Sequence, residues 1–259
     1  MSKTKKTGRN GRLKSANEWI YGFNPVFEAV KAGRNIKSIY LSSTRYEKTC
    51  SIKREAELRH IPVQIMSPDF FDSTFRKGHQ GVAAEVSPKE YALLDELLQI
   101  PAEKNEPPFF LILDCLEDPR NFGAILRVAD AAGIHGIVLQ SHRSVSLSAE
   151  VSKVSSGAVE YVPVAIVVNI KHAIYEMKER GMTIIGTEAC AEKVLWDMDF
   201  TQPLALVIGS EGKGLRKTVS DLCDVRVRVP MQGKVNSLNV SVATGLFAYE
   251  ILRQRTEKN

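Results

Sequence analysis

Cysteine, histidine and long apolar runs are scarce in this chain of 259 residues. Its four cysteines are far apart and form no CxxC pair, and its five histidines are scattered without metal-ligand spacing. These absences argue against a disulfide framework and predict a protein without a bound metal. The cysteine usage is typical of a chain that works in the reducing cytosol.

No apolar run approaches the roughly 20 residues of a membrane span. The basic N-terminus is not followed by the apolar segment of a secretory signal. With 44% hydrophobic and 25% charged residues, the composition is that of an ordinary globular protein. We therefore expect a soluble, cytoplasmic protein that has no membrane partner.

Positive charge is concentrated at one end of the chain. Residues 1–17 contain six lysines and arginines and no acidic residue, and without these six charges the formal net charge of +5 becomes −1. The sequence predicts a basic, disordered tail over residues 1–17 and a body with almost no net charge. Two interpretations of the tail stay open: it contacts nucleic-acid phosphates, or it only keeps the chain soluble.

Residues 18–87 are predicted to form a small α/β domain, because short strand-like and helix-like segments alternate there. The basic loop over residues 76–81 is either an RNA contact or a plain connection. Residues 88–108 contain four prolines. This composition predicts a moderately stiff linker, with a short amphipathic helix over residues 91–98 inside it.

A regular alternation of strands and helices fills residues 109–259. The strands are continuous apolar runs, which are typical of a parallel sheet covered on both faces. Strands are predicted at 109–113, 136–140, 161–167, 182–187, 204–208 and 225–229, and helices at 121–132, 148–157, 169–180 and 239–254. Ligands of such sheets bind beyond the carboxyl ends of the strands. We therefore expect a nucleotide-like cofactor near residues 204–255.

The first of three notable motifs, Asp114–Asp130, follows the strand at 109–113. Asn121 occupies the position expected for a helix N-cap. Arg127 lies on the helix face opposite the apolar residues. From spacing alone, Asn121 is a simple cap and Arg127 is an exposed residue paired weakly with Asp130.

The second motif, Gly209–Gly214, is glycine-rich but fits neither common phosphate-binding pattern. It lacks the first glycine and the final Ser or Thr of the Walker pattern, and Glu211 replaces the second glycine of GxGxxG. What remains is a tight turn whose backbone at Gly209 a ligand can approach closely. Glu211 belongs either to a site or to the start of a helix.

The third motif, Asn236–Ser241, precedes the last predicted helix. Its serines and asparagines either cap that helix or orient an alcohol substrate. A Ser–His hydrolase is not supported, because no histidine other than His135 lies near the motifs.

Three segments, taken in order, resemble the three motifs of the SpoU (TrmH-like) RNA 2′-O-methyltransferases. They are Asn121–Arg127, Ile208–Gly214, and Val229–Met231 with Ser237–Ala243. Residues 19–86 are similar to that family's small RNA-binding domain of the L30e type, so the resemblance covers nearly the whole chain beyond the tail. This architecture points to the branch that methylates guanosine in 23S rRNA (RlmB-like) rather than to the tRNA branch.

The resemblance implies a SPOUT-type α/β trefoil-knot domain with a parallel sheet, preceded by a small L30e-like α/β domain. It also implies RNA and a second copy of the chain as partners, in a homodimer with shared active sites. Implied contacts to the cofactor S-adenosylmethionine are Thr187, Gly209, Val229, Met231 and Leu238. Implied catalytic residues are Asn121, Arg127, Glu211, Ser237 and Asn239.

Methyl transfer from a sulfonium to a ribose 2′-OH requires that the alcohol be deprotonated or polarised. The family mechanism gives the base role to the position of Arg127, although a guanidinium hardly ever loses its proton. We favour an Arg127 that grips the substrate phosphate and stabilises charge on the 2′-oxygen. The alternatives are a tRNA ribose methyltransferase and a non-catalytic RNA-binding scaffold.

Overall fold

The structure is a computed structural model that describes residues 18–75, 77–235 and 237–257, without the side chains of 46–48. The basic tail predicted over residues 1–17 lies outside the described residues. So do Arg76 of the predicted basic loop and Asn236 of the third motif. None of the helices in the described ranges is both long and apolar enough to cross a membrane.

The N-terminal domain is an α/β layer built on a four-stranded sheet. Its elements are β1 (Glu18–Tyr21), α1 (Phe23–Lys31), β2 (Ile36–Ser42), α2 (Cys50–Leu58), β3 (Val63–Met66), α3 (Pro68–Thr74) and β4 (Val82–Val86). The strand order is β1-β4-β2-β3. Strand β4 pairs antiparallel with β1 and β2, whereas β2 and β3 pair in parallel.

Strand β1 was not predicted from the sequence. Its four residues are too few to show an alternating pattern, and it becomes a strand because its backbone pairs with β4 from Glu18↔Val86 to Tyr21↔Ala83. Helix α1 has Pro25 in its first turn and ends two residues before Gly33, a placement of proline and glycine that is typical of helices. It buries Val26 and Val30 against the sheet.

The second domain is a three-layer α/β structure. Its elements are α4 (Leu94–Lys104), β5 (Phe109–Leu113), α5 (Pro119–Ala131), β6 (Gly136–Gln140), α6 (Ala149–Val154), β7 (Val164–Val167), α7 (Ile170–Glu179), β8 (Thr183–Thr187), β9 (Lys193–Val194), β10 (Leu204–Ile208), α8 (Lys217–Ser220), β11 (Val225–Arg228) and α9 (Val240–Glu257). All seven strands are parallel, in the order β7-β6-β5-β10-β8-β11-β9. The predicted parallel sheet is therefore confirmed.

Both faces of this sheet are covered, as the continuous apolar strands indicated. On one face, α5 and α9 bury Phe122 and Phe247 against alternate strand residues. On the other face, α4 and α7 bury Leu97 and Ile174 against the intervening residues. Each strand thus contributes side chains to two cores, which explains why its sequence does not alternate.

The stretch predicted to be a linker packs more tightly than expected. Helix α4 is longer than the predicted 91–98 and buries Leu97 and Leu98 in the core of the second domain. A Cβ added to Gly136 would lie 2.6 Å from the Leu97 side chain, so β6 and α4 are in direct contact. Ala92 also forms a parallel bridge with Ala165 at the outer edge of the sheet.

Candidate active site

Asn121, Glu211 and Asn239 meet at the carboxyl edge of the large sheet, although they lie far apart in the sequence. Nδ2 of Asn121 donates to Oε1 of Glu211 at 2.8 Å, and Nδ2 of Asn239 donates to the same oxygen at 3.0 Å. Nδ2 of Asn239 also donates to Oδ1 of Asn121 at 3.0 Å. We call these three residues the amide–carboxylate network. It joins one residue from each of the three motifs.

The prediction that Asn121 caps its helix is wrong. Helix α5 begins at Pro119, and its N-cap is Asp118, whose Oδ1 accepts from the Arg120 backbone N–H at 2.9 Å. A proline suits the first helical position because it has no N–H to satisfy there. The helix therefore starts two residues before Asn121, and the buried side chain of Asn121 is directed to Glu211 instead.

Asn239 caps the last helix, as one interpretation of the third motif predicted, and also belongs to the amide–carboxylate network. Its Oδ1 accepts from the backbone N–H of Ser241 at 3.0 Å, which caps the start of α9. The same oxygen accepts from the Ser241 hydroxyl at 2.6 Å. The amide nitrogen Nδ2 is therefore able to donate to Glu211 and Asn121. One side chain thus ties the start of α9 to the amide–carboxylate network.

Glu211 lies in a turn and not at a helix start, so that alternative is wrong. The turn is closed by Ser210 N–H donating to the Gly214 carbonyl at 3.2 Å and by the reverse bond at 2.9 Å. Helix α8 begins only at Lys217. Glu211 is exposed, and within the described ranges its carboxylate forms no ion pair.

Gly209 is required by the protein's own backbone. A Cβ at this position would lie 2.2 Å from the carbonyl carbon of Gly214 and 2.4 Å from the nitrogen of Leu215. The glycine-rich sequence predicted that a ligand makes this close approach. The structure shows that the returning chain makes it, so any larger residue would push the turn that carries Glu211 away from the sheet.

A half-buried ion pair, which was not predicted from the sequence, holds the same loop from its other end. Asp114, fully buried after β5, accepts from the backbone N–H of Arg216 at 2.9 Å and from its Nε at 2.7 Å. Arg216 also donates to the side chain of Gln140 at 2.7 Å. The bond to Asp114 raises the pKa of Arg216. An acid directly after an apolar strand was the available signal, but its partner is distant in sequence.

Three of the five residues implied as cofactor contacts lie together at one edge of the sheet. Thr187 ends β8, while Gly209 and Val229 directly follow β10 and β11, and these three strands are neighbours. Met231 is half-buried, and the Leu238 side chain is 37% exposed. The hydroxyl of Thr187 donates to the Val207 carbonyl at 3.2 Å. The ends of three neighbouring strands thus place backbone groups and one hydroxyl at this edge.

Arg127 and Ser237 remain outside the amide–carboxylate network. Both are exposed, and neither side chain makes a hydrogen bond or an ion pair with another residue in the described part of the chain. The weak pair expected between Arg127 and Asp130 is therefore not formed there. Arg127 lies on α5, the helix that also carries Asn121, and α5 packs against α9.

Comparison with known proteins identifies the family. Residues 108–249 match the family described as the SpoU rRNA methylase family, and residues 19–92 match the domain described as RNA 2′-O ribose methyltransferase substrate binding. The chain belongs to the SpoU rRNA methylase family. As a member it is an S-adenosylmethionine-dependent RNA methyltransferase of the SpoU and TrmH type.

Relatives of this SpoU family member span both of its domains. YacO of Bacillus subtilis, named as a TrmH family tRNA/rRNA methyltransferase, is 44% identical over 94% of this chain and 98% of its own. AviRb of Streptomyces viridochromogenes, a SpoU methyltransferase solved in complex with AdoMet, is 26% identical with a TM-score of 0.79, over 96% of this chain and 95% of its own.

A third relative is the AdoMet-bound rRNA methyltransferase of Sinorhizobium meliloti. It is 26% identical with a TM-score of 0.75, over 92% of this chain and 87% of its own. These structures confirm the predicted fold class, a SPOUT-type α/β domain with a parallel sheet that follows a small α/β domain.

Proposed function

We propose that this protein transfers the methyl group of S-adenosylmethionine to the ribose 2′-OH of a guanosine in 23S rRNA. The observation that carries the proposal is the amide–carboxylate network, which assembles the three motifs at one edge of the sheet. Its side chains are hydrogen-bonding groups suited to a ribose hydroxyl. Supporting this target, the N-terminal domain matches a ribose-methyltransferase substrate-binding domain, and the relative from Sinorhizobium meliloti is named as an rRNA methyltransferase.

The carboxyl edge of β8, β10 and β11 fits the methyl donor, and AviRb holds it in its own structure. The proposed contacts are Thr187, Gly209, Val229, Met231 and Leu238. They offer backbone polar groups and half-exposed apolar side chains, which suits a nucleoside better than a triphosphate. The bound group supplies an electrophilic methyl on a sulfonium. The chain's task is therefore to bring the 2′-oxygen into line and to stabilise the charge on it.

Arg127 is proposed to grip a substrate phosphate and to stabilise charge developing on the 2′-oxygen. A guanidinium is a poor base and a good anion clamp, because its donors form a planar fork that matches a phosphate. The side chain is exposed and makes no ion pair within the described ranges. No acidic side chain of those ranges therefore competes with a phosphate for its N–H donors. This role predicts that geometry matters as well as charge, because lysine lacks the planar fork.

Glu211 is proposed to accept a hydrogen bond from a substrate hydroxyl. Asn121 and Asn239 donate to Oε1, while Oε2 accepts no hydrogen bond from the described residues. A carboxylate fixed through one oxygen is well suited to polarise an alcohol through the other. Asn121 and Asn239 orient the carboxylate, and Ser237 is proposed to contact the ribose from the segment before α9.

We further propose that the protein works as a homodimer in which Arg127 acts on the partner's site. Helix α9 exposes Val242, Leu246 and Tyr249, which recur at the spacing of one helix face. Exposed apolar surface of this kind is typical of an interface. The face lies on the helix that packs against α5, which carries Arg127. Light scattering of the purified protein should give the mass of two chains; the mass of one chain would contradict the dimer.

Two measurements test the function. Calorimetry of the purified protein with S-adenosylmethionine should show binding, and no binding would support the non-catalytic scaffold. Mapping of 2′-O-methyl sites in total RNA after deletion of the gene should show one lost guanosine mark in 23S rRNA. A lost tRNA mark would instead support the tRNA alternative, which the name of YacO also covers.

A further inference from the structure

The two domains meet around the carboxylate of Glu160, which lies in a short 3₁₀ turn after α6. Its side chain is fully buried, and Oε1 accepts from a terminal nitrogen of Arg34 at 2.7 Å. Nζ of Lys89 donates to Oε2 at 3.3 Å and to the Glu160 carbonyl at 3.0 Å. One carboxylate of the second domain thus holds one cation from the N-terminal domain and one from the connecting stretch.

Arg34 is itself fixed from a second direction. Its side chain is only 7% exposed, and its Nε and second terminal nitrogen donate to the Ser87 carbonyl at 3.2 and 2.9 Å. Buried charges of this kind are tolerated only where their partners sit in good geometry. The Arg34–Glu160–Lys89 cluster is therefore satisfied in one relative orientation of the domains and strongly disfavoured in others.

Other contacts between the two domains also fix their relative orientation. The hydroxyl of Tyr161 donates to Oε2 of Glu28 on α1 at 2.6 Å, and burial together with this bond raises the pKa of Tyr161 to about 12. A Cβ added to Gly157 would lie 2.6 Å from Cβ of Glu28, so this turn lies directly against α1. On the far side, Nζ of Lys153 lies 4.9 Å from the ring centroid of Tyr21.

We propose that Glu160 is a positioning residue for methyl transfer: through Arg34 and Lys89 it holds the RNA-binding domain in one orientation on the methyltransferase domain. The RNA gripped by the first domain is then presented to the second at a set distance and angle. This inference rests on the proposed function for its consequence. Its structural part, one fixed orientation of the domains, stands independently of which RNA is modified.

Two native cysteines allow the orientation to be measured directly. Cys50 in the N-terminal domain and Cys190 in the second domain are exposed. Cys115 and Cys223 are half-buried, and burial raises the thiol pKa of both, that of Cys223 to about 12. Spin labels should therefore react first at Cys50 and Cys190 near neutral pH, because the thiolate is the reactive form. Diluting labelled chains with unlabelled ones removes distances between copies.

Double electron–electron resonance should give one narrow Cys50–Cys190 distance for the wild-type protein and a broad distribution for Glu160→Gln. The matched control is Glu85→Gln, which breaks a carboxylate–lysine pair with Lys37 inside the N-terminal domain. It should leave the distance narrow. Lys89→Gln is a milder change at a half-exposed residue and should broaden the distance distribution less than Glu160→Gln. It provides the test if Glu160→Gln does not fold. A broad wild-type distribution, or a narrow one in Glu160→Gln, overturns the proposal.

Kinetics separate this role from the chemistry. Glu160→Gln should raise the KM for the RNA substrate about tenfold, while kcat at saturating RNA and the affinity for S-adenosylmethionine stay within about twofold of the wild type. An unchanged KM would reject the positioning role even if the wild-type enzyme methylates rRNA. A wild-type protein that methylates no 23S rRNA would reject the proposed target, while a narrow distance would still support the fixed orientation.

Discussion

Two glutamates, Glu160 and Glu211, accept hydrogen bonds from residues far away in the sequence, but their surroundings differ in kind. Glu160 is fully buried and is held by the cations of Arg34 and Lys89. Glu211 is exposed and is held by the neutral amides of Asn121 and Asn239. The negative charge of Glu160 is compensated by cations and buried away from solvent. The negative charge of Glu211 has no cation beside it among the described residues and is accessible to solvent.

This difference separates a residue that holds the molecule together from one that is available to a ligand. Removing the charge of Glu160 takes away the nearest carboxylate of the buried Arg34, which keeps only Glu18 at 3.9 Å, and the carboxylate partner of Lys89, and this costs folding free energy. Removing the charge of Glu211 strands no cation among the described residues, because its donors are neutral. Substitutions at the domain interface should therefore act on stability and orientation, and substitutions at the candidate site on catalysis.

The largest effect on stability is expected for Glu160→Gln. Breaking a buried ion pair by removing one partner costs about 3–5 kcal/mol, so urea denaturation should show a loss of this size in the free energy of unfolding. Glu85→Gln, which removes a pair with the exposed Lys37, should cost clearly less, because water compensates the exposed cation. Equal losses in the two variants would remove the distinction between the interface cluster and a pair with an exposed partner.

Arg127→Lys should have the largest effect on catalysis. It keeps the charge but loses the bidentate fork, so we expect kcat/KM for methyl transfer to fall about 100- to 1000-fold, the usual cost of one transition-state donor. The unfolding transition should not move, because the side chain makes no ion pair within the described ranges. Arg120→Lys, at an 80% exposed side chain on the same helix, is the control and should retain full activity. Full activity of Arg127→Lys would exclude the phosphate clamp.

Glu211→Gln tests the other half of the comparison. The glutamine keeps an oxygen for the two amide donors but loses the charge, so kcat/KM should fall about tenfold, or about 1.4 kcal/mol. The free energy of unfolding should change by less than about 0.5 kcal/mol. Glu192→Gln, at an exposed residue of the same domain, should change neither quantity. A destabilisation as large as that of Glu160→Gln would make Glu211 a structural residue.

His135 provides a smaller, pH-dependent test of what burial does to a charge. It is buried at the opposite edge of the sheet, where its Nδ1 accepts from the Phe109 backbone N–H at 3.2 Å and its Nε2 lies 3.0 Å from Glu106. Burial lowers its pKa below the ordinary value of 6.5. At low pH the unfolded chain therefore binds a proton that the folded chain does not bind.

Stability should consequently fall as the pH drops through 6.5, by less than about 1.4 kcal/mol per pH unit for this one group. His135→Asn keeps an acceptor near the Phe109 N–H and cannot be protonated, so its unfolding free energy should fall less between pH 7 and pH 5.5. Denaturation curves of both proteins across this range provide the measurement. Identical pH profiles would contradict the burial effect.

Much of the second domain was predictable because its signals are local. The runs at 109–113, 136–140 and 204–208 became strands with those bounds, since a buried parallel strand needs apolar residues on both faces. Strands β1 and β9 were missed because they have four and two residues and owe their existence to pairing. Asn121 was misassigned because Pro119 moved the start of the helix.

The sequence alone determined the layers, the parallel sheet and the three motifs, because apolar periodicity and turn residues are written in neighbouring positions. Only the tertiary structure decided that Asn121, Glu211 and Asn239 share hydrogen bonds, that Arg216 anchors their loop to Asp114, and that Glu160 joins the two domains. Each of these contacts links residues separated by 28 to 126 positions. The residue type fixes which hydrogen bonds or ion pairs a side chain can form. The fold of the chain determines which distant residue lies close enough to form them.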